Sequence, residues 1–177
     1  MTQAIADWID SDQETSNPNG AEDGYYLNLD VPYRTANTKM LSVSELRLVK
    51  GFEDSKTYDL VKNYLCAFIT EGGEIAINVN TASAEVLQSL SAEMTDSLAG
   101  EIIAQRNELP FTTIKEFTSF ASLGTIIKNT DKLTTGSDYF LLRTQAIIGQ
   151  ANKVMYSIIY RDENGITSIL SRTQRTL

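Results

Sequence analysis

YFLLRTQAIIGQANKVMYSIIYRDENGITSILSR, residues 139–172, decides the fold class. Tyr139 to Ile148 is rich in aromatic and β-branched residues, and Gly149 to Asn152 reads as a turn. Val154 to Tyr160 is a second strand, Asp162 to Gly165 a second turn and Ile166 to Arg172 a third strand. The turns are short, so neighbours in sequence must pair, and the stretch is an antiparallel meander. Upstream of about residue 130 the signals are helical instead. Helices followed by a run of strands predict an α+β chain with segregated parts. The expected division is a helical domain over 1–130 and a small antiparallel β-meander over 136–177.

Within the helical part, Thr2 to Asp10 puts Ile5, Trp8 and Ile9 on one helical face. Tyr25 to Asn37 contains Pro32 and reads as extended coil. Ser42 and Glu45 form a capping box before Leu46, Leu48 and Val49, and Gly51 is a plausible stop. A helix over about Ser55 to Leu65 follows, then an extended piece from Ile75 to Asn80. Thr81 or Ser83 caps a helix carrying Val86, Leu87 and Leu90; Thr95 caps one carrying Leu98, Ile102 and Ile103, which Pro110 ends; Thr113 starts one carrying Ile114, Phe117 and Phe120. Short helices joined by short turns predict a unit of helical hairpins over 75–123.

The chain has 177 residues, 42% hydrophobic and 21% charged, with a formal net charge of -8. That length can bury a core without staples, and the single Cys66 cannot form an internal disulfide. The acidic balance disfavours a phosphate backbone and suits a cation partner or a solvated surface. No apolar run reaches the roughly 18 residues of a membrane span. No signal peptide is visible, and Met1 leads straight into an amphipathic stretch, so the natural chain is expected to begin further upstream.

DWIDSDQETSNPNGAEDG, residues 7–24, contains the acidic loop 10–24. Asp10, Asp12 and Glu14 alternate along it, and Glu22 and Asp23 follow. Alternate carboxylates on a curving loop can converge on one centre, and calcium takes six to eight oxygens from such groups. Gly20 and Gly24 permit unusual backbone angles. The chain has no histidine and no paired cysteines to suit zinc. Five carboxylates within fourteen residues repel one another unless a cation is bound. The competing reading is a solvated acidic loop flanking two helix starts, and the spacing does not match an EF-hand.

INVNTASAEVLQSL, AGEIIAQR and PFTTIKEF, at 77–90, 99–106 and 110–117, resemble helix-hairpin-helix units, which bind DNA through a glycine-bearing turn. Here the turn is SAEMTD, residues 91–96, without glycine and with Glu93 and Asp96. That charge opposes phosphate, so the scaffold is expected and nucleic-acid binding is not. Enzymatic chemistry is not expected either. Without histidine there is no Ser-His-Asp or Cys-His arrangement, Cys66 lies in the apolar run YLCAFI, and there is no Gly-rich phosphate loop.

DWIDSD, GAEDGYY, PYRTAN, SVSELRLVKG, INVNTA and DYFLLRTQAII occur in this order over nearly the whole chain. The ordered set resembles the minor pseudopilin K family of type II secretion. The resemblance implies a helical domain with helix-hairpin-helix or SAM-like units set in a pilin-like fold. It implies a structural subunit at the pseudopilus tip, in complex with minor pseudopilins I and J. It also implies an N-terminal hydrophobic helix, absent from this sequence, that anchors the protein in the inner membrane with the soluble region facing the periplasm. Calcium in the helical domain is implied as well, with Asp10, Asp12, Glu22 and Asp23 matching the family's acidic motifs and Glu14 in a stretch that varies in length and content. The first pilin strands and the opening helices of the helical domain are expected to be missing too, which leaves a sheet edge exposed.

Overall fold

A computed structural model describes residues 1–67, 70 and 75–174. The last residues of the expected meander domain, 175–177, lie outside the described residues. The chain packs as two units, Met1–Glu71 and Gly72–Leu177. This division differs from the one near residue 130 that the change of secondary structure predicts. One cluster of buried apolar residues lies within 4–52 and the other within 79–133.

In the first unit, helix α1 (Thr2–Ile9) buries Ala4, Asp7 and Trp8. Trp8 is central to the core face, as its spacing predicts, whereas Ile5 packs only partly against the cluster. The predicted coil after the acidic loop contains a short helix instead, α2 (Asp23–Tyr26). It drives Tyr26 into the core, where the ring meets Trp8 edge-on at 5.3 Å and Tyr33 at 5.3 Å. The Tyr26 hydroxyl accepts the Lys50 amide at 3.2 Å, so the buried polar tip is satisfied. The capping box at Ser42 and Glu45 is present, but it opens a 3-10 turn, Val43–Leu48, rather than an α-helix. Six residues before Gly51, whose φ is 93°, are too few to repay nucleation of a longer helix. Helix α3 (Ser55–Val61), capped by Asp54, and a 3-10 turn, Lys62–Tyr64, close the unit.

The second unit has a core of Val79, Leu87, Met94, Ala99, Ile102, Phe111, Phe117, Leu123, Ile127 and Leu133. Helices α4 (Ala84–Gln88), α5 (Asp96–Glu108) and α6 (Ile114–Ser119) supply most of it. Ser83, Thr95 and Thr113 cap them by accepting the amides of Val86, Leu98 and Glu116 at 3.3, 3.2 and 3.1 Å. The extended piece at 75–80 becomes strand β1 (Ile77–Asn78), paired in parallel with β2 (Leu133–Thr134). Asn80 ties these ends together, since its amide donates to Phe111 O and Thr135 O while its Oδ1 accepts the Phe111 amide at 3.0 Å.

The meander comprises β3 (Tyr139–Ile148), β4 (Ala151–Arg161) and β5 (Thr167–Thr173), in the order β3-β4-β5 and antiparallel throughout. Tyr139 opposes Tyr160 and Ile148 opposes Ala151, with a register shift between Ile158 and Ile159. Strict alternation puts Leu141 and Ile147 on one face and Phe140, Leu142 and Ile148 on the other. All five are exposed, Ile148 by 79%. No helix among the described residues is long and apolar enough to cross a membrane.

Candidate metal centre

The last turn of α1 carries Asp7 and, three residues on, Asp10, which share one face of the helix. Asp10 is the residue after the helix; its extended backbone (φ -73°, ψ 171°) turns the chain into the acidic loop. The loop returns at Glu22, extended in turn (φ -119°, ψ -172°) as the residue before α2. Each of Asp7, Asp10 and Glu22 presents a carboxylate oxygen, and the three lie within 4.8 Å of one another. Asp7 and Glu22 are buried, with 0% and 3% exposure, and Asp10 is half-buried.

These carboxylates are poorly satisfied by the protein alone. One oxygen of Asp7, one of Asp10 and both of Glu22 are buried without a hydrogen-bond partner. Negative charge at the C-terminal end of α1 also opposes the helix dipole. Burial pushes the Glu22 carboxyl up to about 7, helped by the charges of Asp7, Asp10 and Asp12. A cation would relieve all of these penalties at once. The donors are oxygens of carboxylates, with neither imidazole nor thiolate in the cluster, and such a set suits a hard cation such as calcium rather than zinc. The residues present therefore fit such an ion.

Of the residues singled out from the sequence, the fold brings Asp10 and Glu22 together. Asp12 is exposed; its Oδ1 accepts the Glu14 amide at 2.8 Å, and its charge reaches Glu22 without its carboxylate joining the cluster. Glu14 is exposed on the same stretch and outside the cluster. Asp23 is occupied elsewhere: Oδ2 pairs with Arg34 at 2.8 Å, and Oδ1 accepts the Thr35 amide and hydroxyl, each at 3.0 Å. Asp7 joins the cluster although the loop reading began at Asp10. The signal was its three-residue spacing from Asp10 at the end of the helix read over Thr2 to Asp10.

Fold and site define an α+β protein of two units, the first of which holds a cluster of three close carboxylates. Two family models, both described as type II secretion system (T2SS), protein K, match residues 1–70 and 77–136. Type II secretion system protein K of Pectobacterium carotovorum subsp. carotovorum is 36% identical over 166 residues, covering 90% of this chain and 49% of that protein. The protein K of Aeromonas hydrophila is 32% identical, covering 97% of this chain and 53% of that protein. That of Pseudomonas aeruginosa is 33% identical, covering 97% and 50%. The chain thus spans about half the length of the curated relatives it matches. Among solved structures, a chain in the GspK-GspI-GspJ complex of the enterotoxigenic Escherichia coli type 2 secretion system superposes with a TM-score of 0.74 at 24% identity, over 97% of this chain and 61% of that one. This chain belongs to the type II secretion system protein K family.

Proposed function

We propose that this chain is the periplasm-facing region of a structural minor pseudopilin, acting at the tip of the type II secretion pseudopilus in complex with minor pseudopilins I and J. The observation that carries the reading is the meander. Its edge strand β3 exposes apolar side chains on both faces, Leu141 and Ile147 on one and Phe140 and Ile148 on the other. A sheet this small draws its stability from covering a hydrophobic face, and exposed apolar side chains on an edge strand mark an interaction surface. The solved complex that contains the superposable chain joins GspK with GspI and GspJ, which favours those partners. Anchoring in the inner membrane would come from an N-terminal helix outside this sequence.

On this reading the protein is not an enzyme, and its helical units serve as scaffold. Its helices at 84–119 would be a scaffold of helix-hairpin-helix or SAM-like type, and Glu93 in the 91–96 turn argues against a phosphate contact. Calcium bound by Asp7, Asp10 and Glu22 would supply charge neutralisation and fix the acidic loop. The test is co-purification of this region with the soluble regions of pseudopilins I and J from the same organism, with calcium present. A stable ternary complex by size exclusion with light scattering is expected. Persistent separation of the three proteins would overturn the tip-subunit reading.

A further inference from the structure

We propose that Asn164 is a site of spontaneous covalent modification: the backbone nitrogen of Gly165 deamidates its side chain, while the fold protects Asn19 from the same reaction. The chain has two Asn-Gly pairs, Asn19-Gly20 and Asn164-Gly165. The reaction consumes only water. The glycine nitrogen attacks the asparagine Cγ and a C–N bond forms. The Cγ–Nδ2 bond breaks, and the side-chain nitrogen leaves as ammonia, taking up the proton that the glycine nitrogen gives up. Water then opens the five-membered imide at either carbonyl, leaving aspartate or isoaspartate. Glycine favours the step because no Cβ hinders its nitrogen and its backbone turns freely.

By sequence the two pairs are alike; by structure they are not. Asn164 and Gly165 sit in the turn between β4 and β5, and both are exposed. Gly165 has a φ of 78°, and a Cβ there would meet nothing within 4 Å. To attack, its amide has to release one hydrogen bond, to Asp162 O at 3.0 Å. The rest of the turn is held by Asp162, whose Oδ1 accepts the amides of Asn164 at 2.9 Å and Ile166 at 2.8 Å. Those bonds engage the backbone of Asn164 and not its side-chain amide.

Gly20 is buried, and its amide donates to Ser16 O at 2.6 Å. The space around it is filled: a Cβ would lie 2.1 Å from Asp7 Oδ2 and 2.4 Å from Ser16 O. The Asn19 amide is held in turn by Gln3 Oε1 at 3.2 Å, from α1. Ring closure at Asn19 therefore requires the loop to come away from α1. At Asn164 it requires only fraying of an exposed turn, which lies at the low end of local opening free energies. The product also matters to the meander. A carboxylate at 164 would directly follow those of Asp162 and Glu163. Isoaspartate would in addition lengthen the backbone of the turn that precedes the Arg161–Thr167 pair.

The experiment incubates the 177-residue chain in mildly alkaline buffer, folded and in urea, and follows two tryptic peptides by mass spectrometry. Cleavage after Arg34, Arg161 and Arg172 puts Asn19 in peptide 1–34 and Asn164 in peptide 162–172. In the folded chain Asn164 is expected to convert at least about tenfold faster than Asn19, with both aspartate and isoaspartate formed. In urea the two rates are expected to agree within about threefold, because the opening cost is gone. Asn164→Gln is expected to remove the conversion from peptide 162–172. Equal or faster conversion at Asn19 in the folded chain overturns the proposal. A gap that persists in urea overturns it too, since protection by the fold would not be its cause. Aspartate without isoaspartate at 164 rules out the imide and with it the role of Gly165.

Discussion

Replacing Glu22 with glutamine should make the calcium-free protein more stable at neutral pH and the calcium-bound protein less so. The carboxyl titrates at about 7 in the fold against an ordinary 4.5. A group whose folded pKa is raised binds its proton more tightly when folded, so stability falls as pH rises between those two values. The full span of about 2.5 units corresponds to about 3.4 kcal/mol, of which about 2.5 kcal/mol falls between pH 5 and pH 8. Glutamine has no such titration but keeps similar buried polar atoms, so its slope over that window lacks this contribution. Urea denaturation in chelator, at about pH 5 and about pH 8, compares the two proteins; other titrating groups are common to both. The wild type should lose about 2.5 kcal/mol more than Glu22→Gln. With calcium at a hundredfold excess over its dissociation constant, the wild type should regain about 2.7 kcal/mol by mass action, and Glu22→Gln should regain less. Parallel pH profiles in chelator would refute the reasoning that Glu22 is a strained, buried carboxyl.

Two further outcomes follow from the same geometry. Asp10→Asn should weaken calcium binding by at least about tenfold, and Asp12→Ala by less, because Asp12 is exposed and acts on the site only through its charge; equal losses in calorimetry would count against the assignment of ligands. Phe117→Ala, at a fully buried ring that meets Phe111 edge-on at 5.3 Å, should cost about 3–5 kcal/mol in urea denaturation and leave calcium affinity unchanged; a loss under about 1 kcal/mol would mean that the second core is not built around it.

The parts legible in the sequence are those fixed by local chemistry. Ser83, Thr95 and Thr113 cap helices because a hydroxyl before an apolar run has an amide to bind three residues on. The meander is legible because its turns are too short to permit other pairings. Pairing of Ile77 with Leu133 is not, since nothing local joins residues so far apart and two-residue strands leave no period to detect. The α2 helix is hidden for a related reason: four residues beginning at Asp23 carry no helical periodicity, and tertiary burial of Tyr26 holds them. In the acidic loop, density of charge is visible in sequence but commitment is not. Asp23 looks as available as Glu22 until Arg34 and Thr35 arrive from a later part of the chain to occupy it.

The position of the carboxylate cluster follows from how little apolar material the first unit has. Two of the eight buried residues in its core are alanines, Ala4 and Ala21, and the stretch from Asp10 to Glu22 contributes only Ala21. A unit below roughly 70–80 residues rarely draws more than about 3–5 kcal/mol from a single core. A bound cation adding about 2.7 kcal/mol at hundredfold excess is then comparable with the core itself. The second unit has no such need, because Leu87, Ile102, Phe117 and Leu123 are all fully buried in one continuous cluster. The metal's stabilising effect should therefore be confined to the part of the chain that is poor in apolar side chains. There a bound ion would do what a larger core does elsewhere: it would favour one path of the loop from α1 to α2, the path that leaves Ala21 and Tyr26 in the same cluster as Trp8.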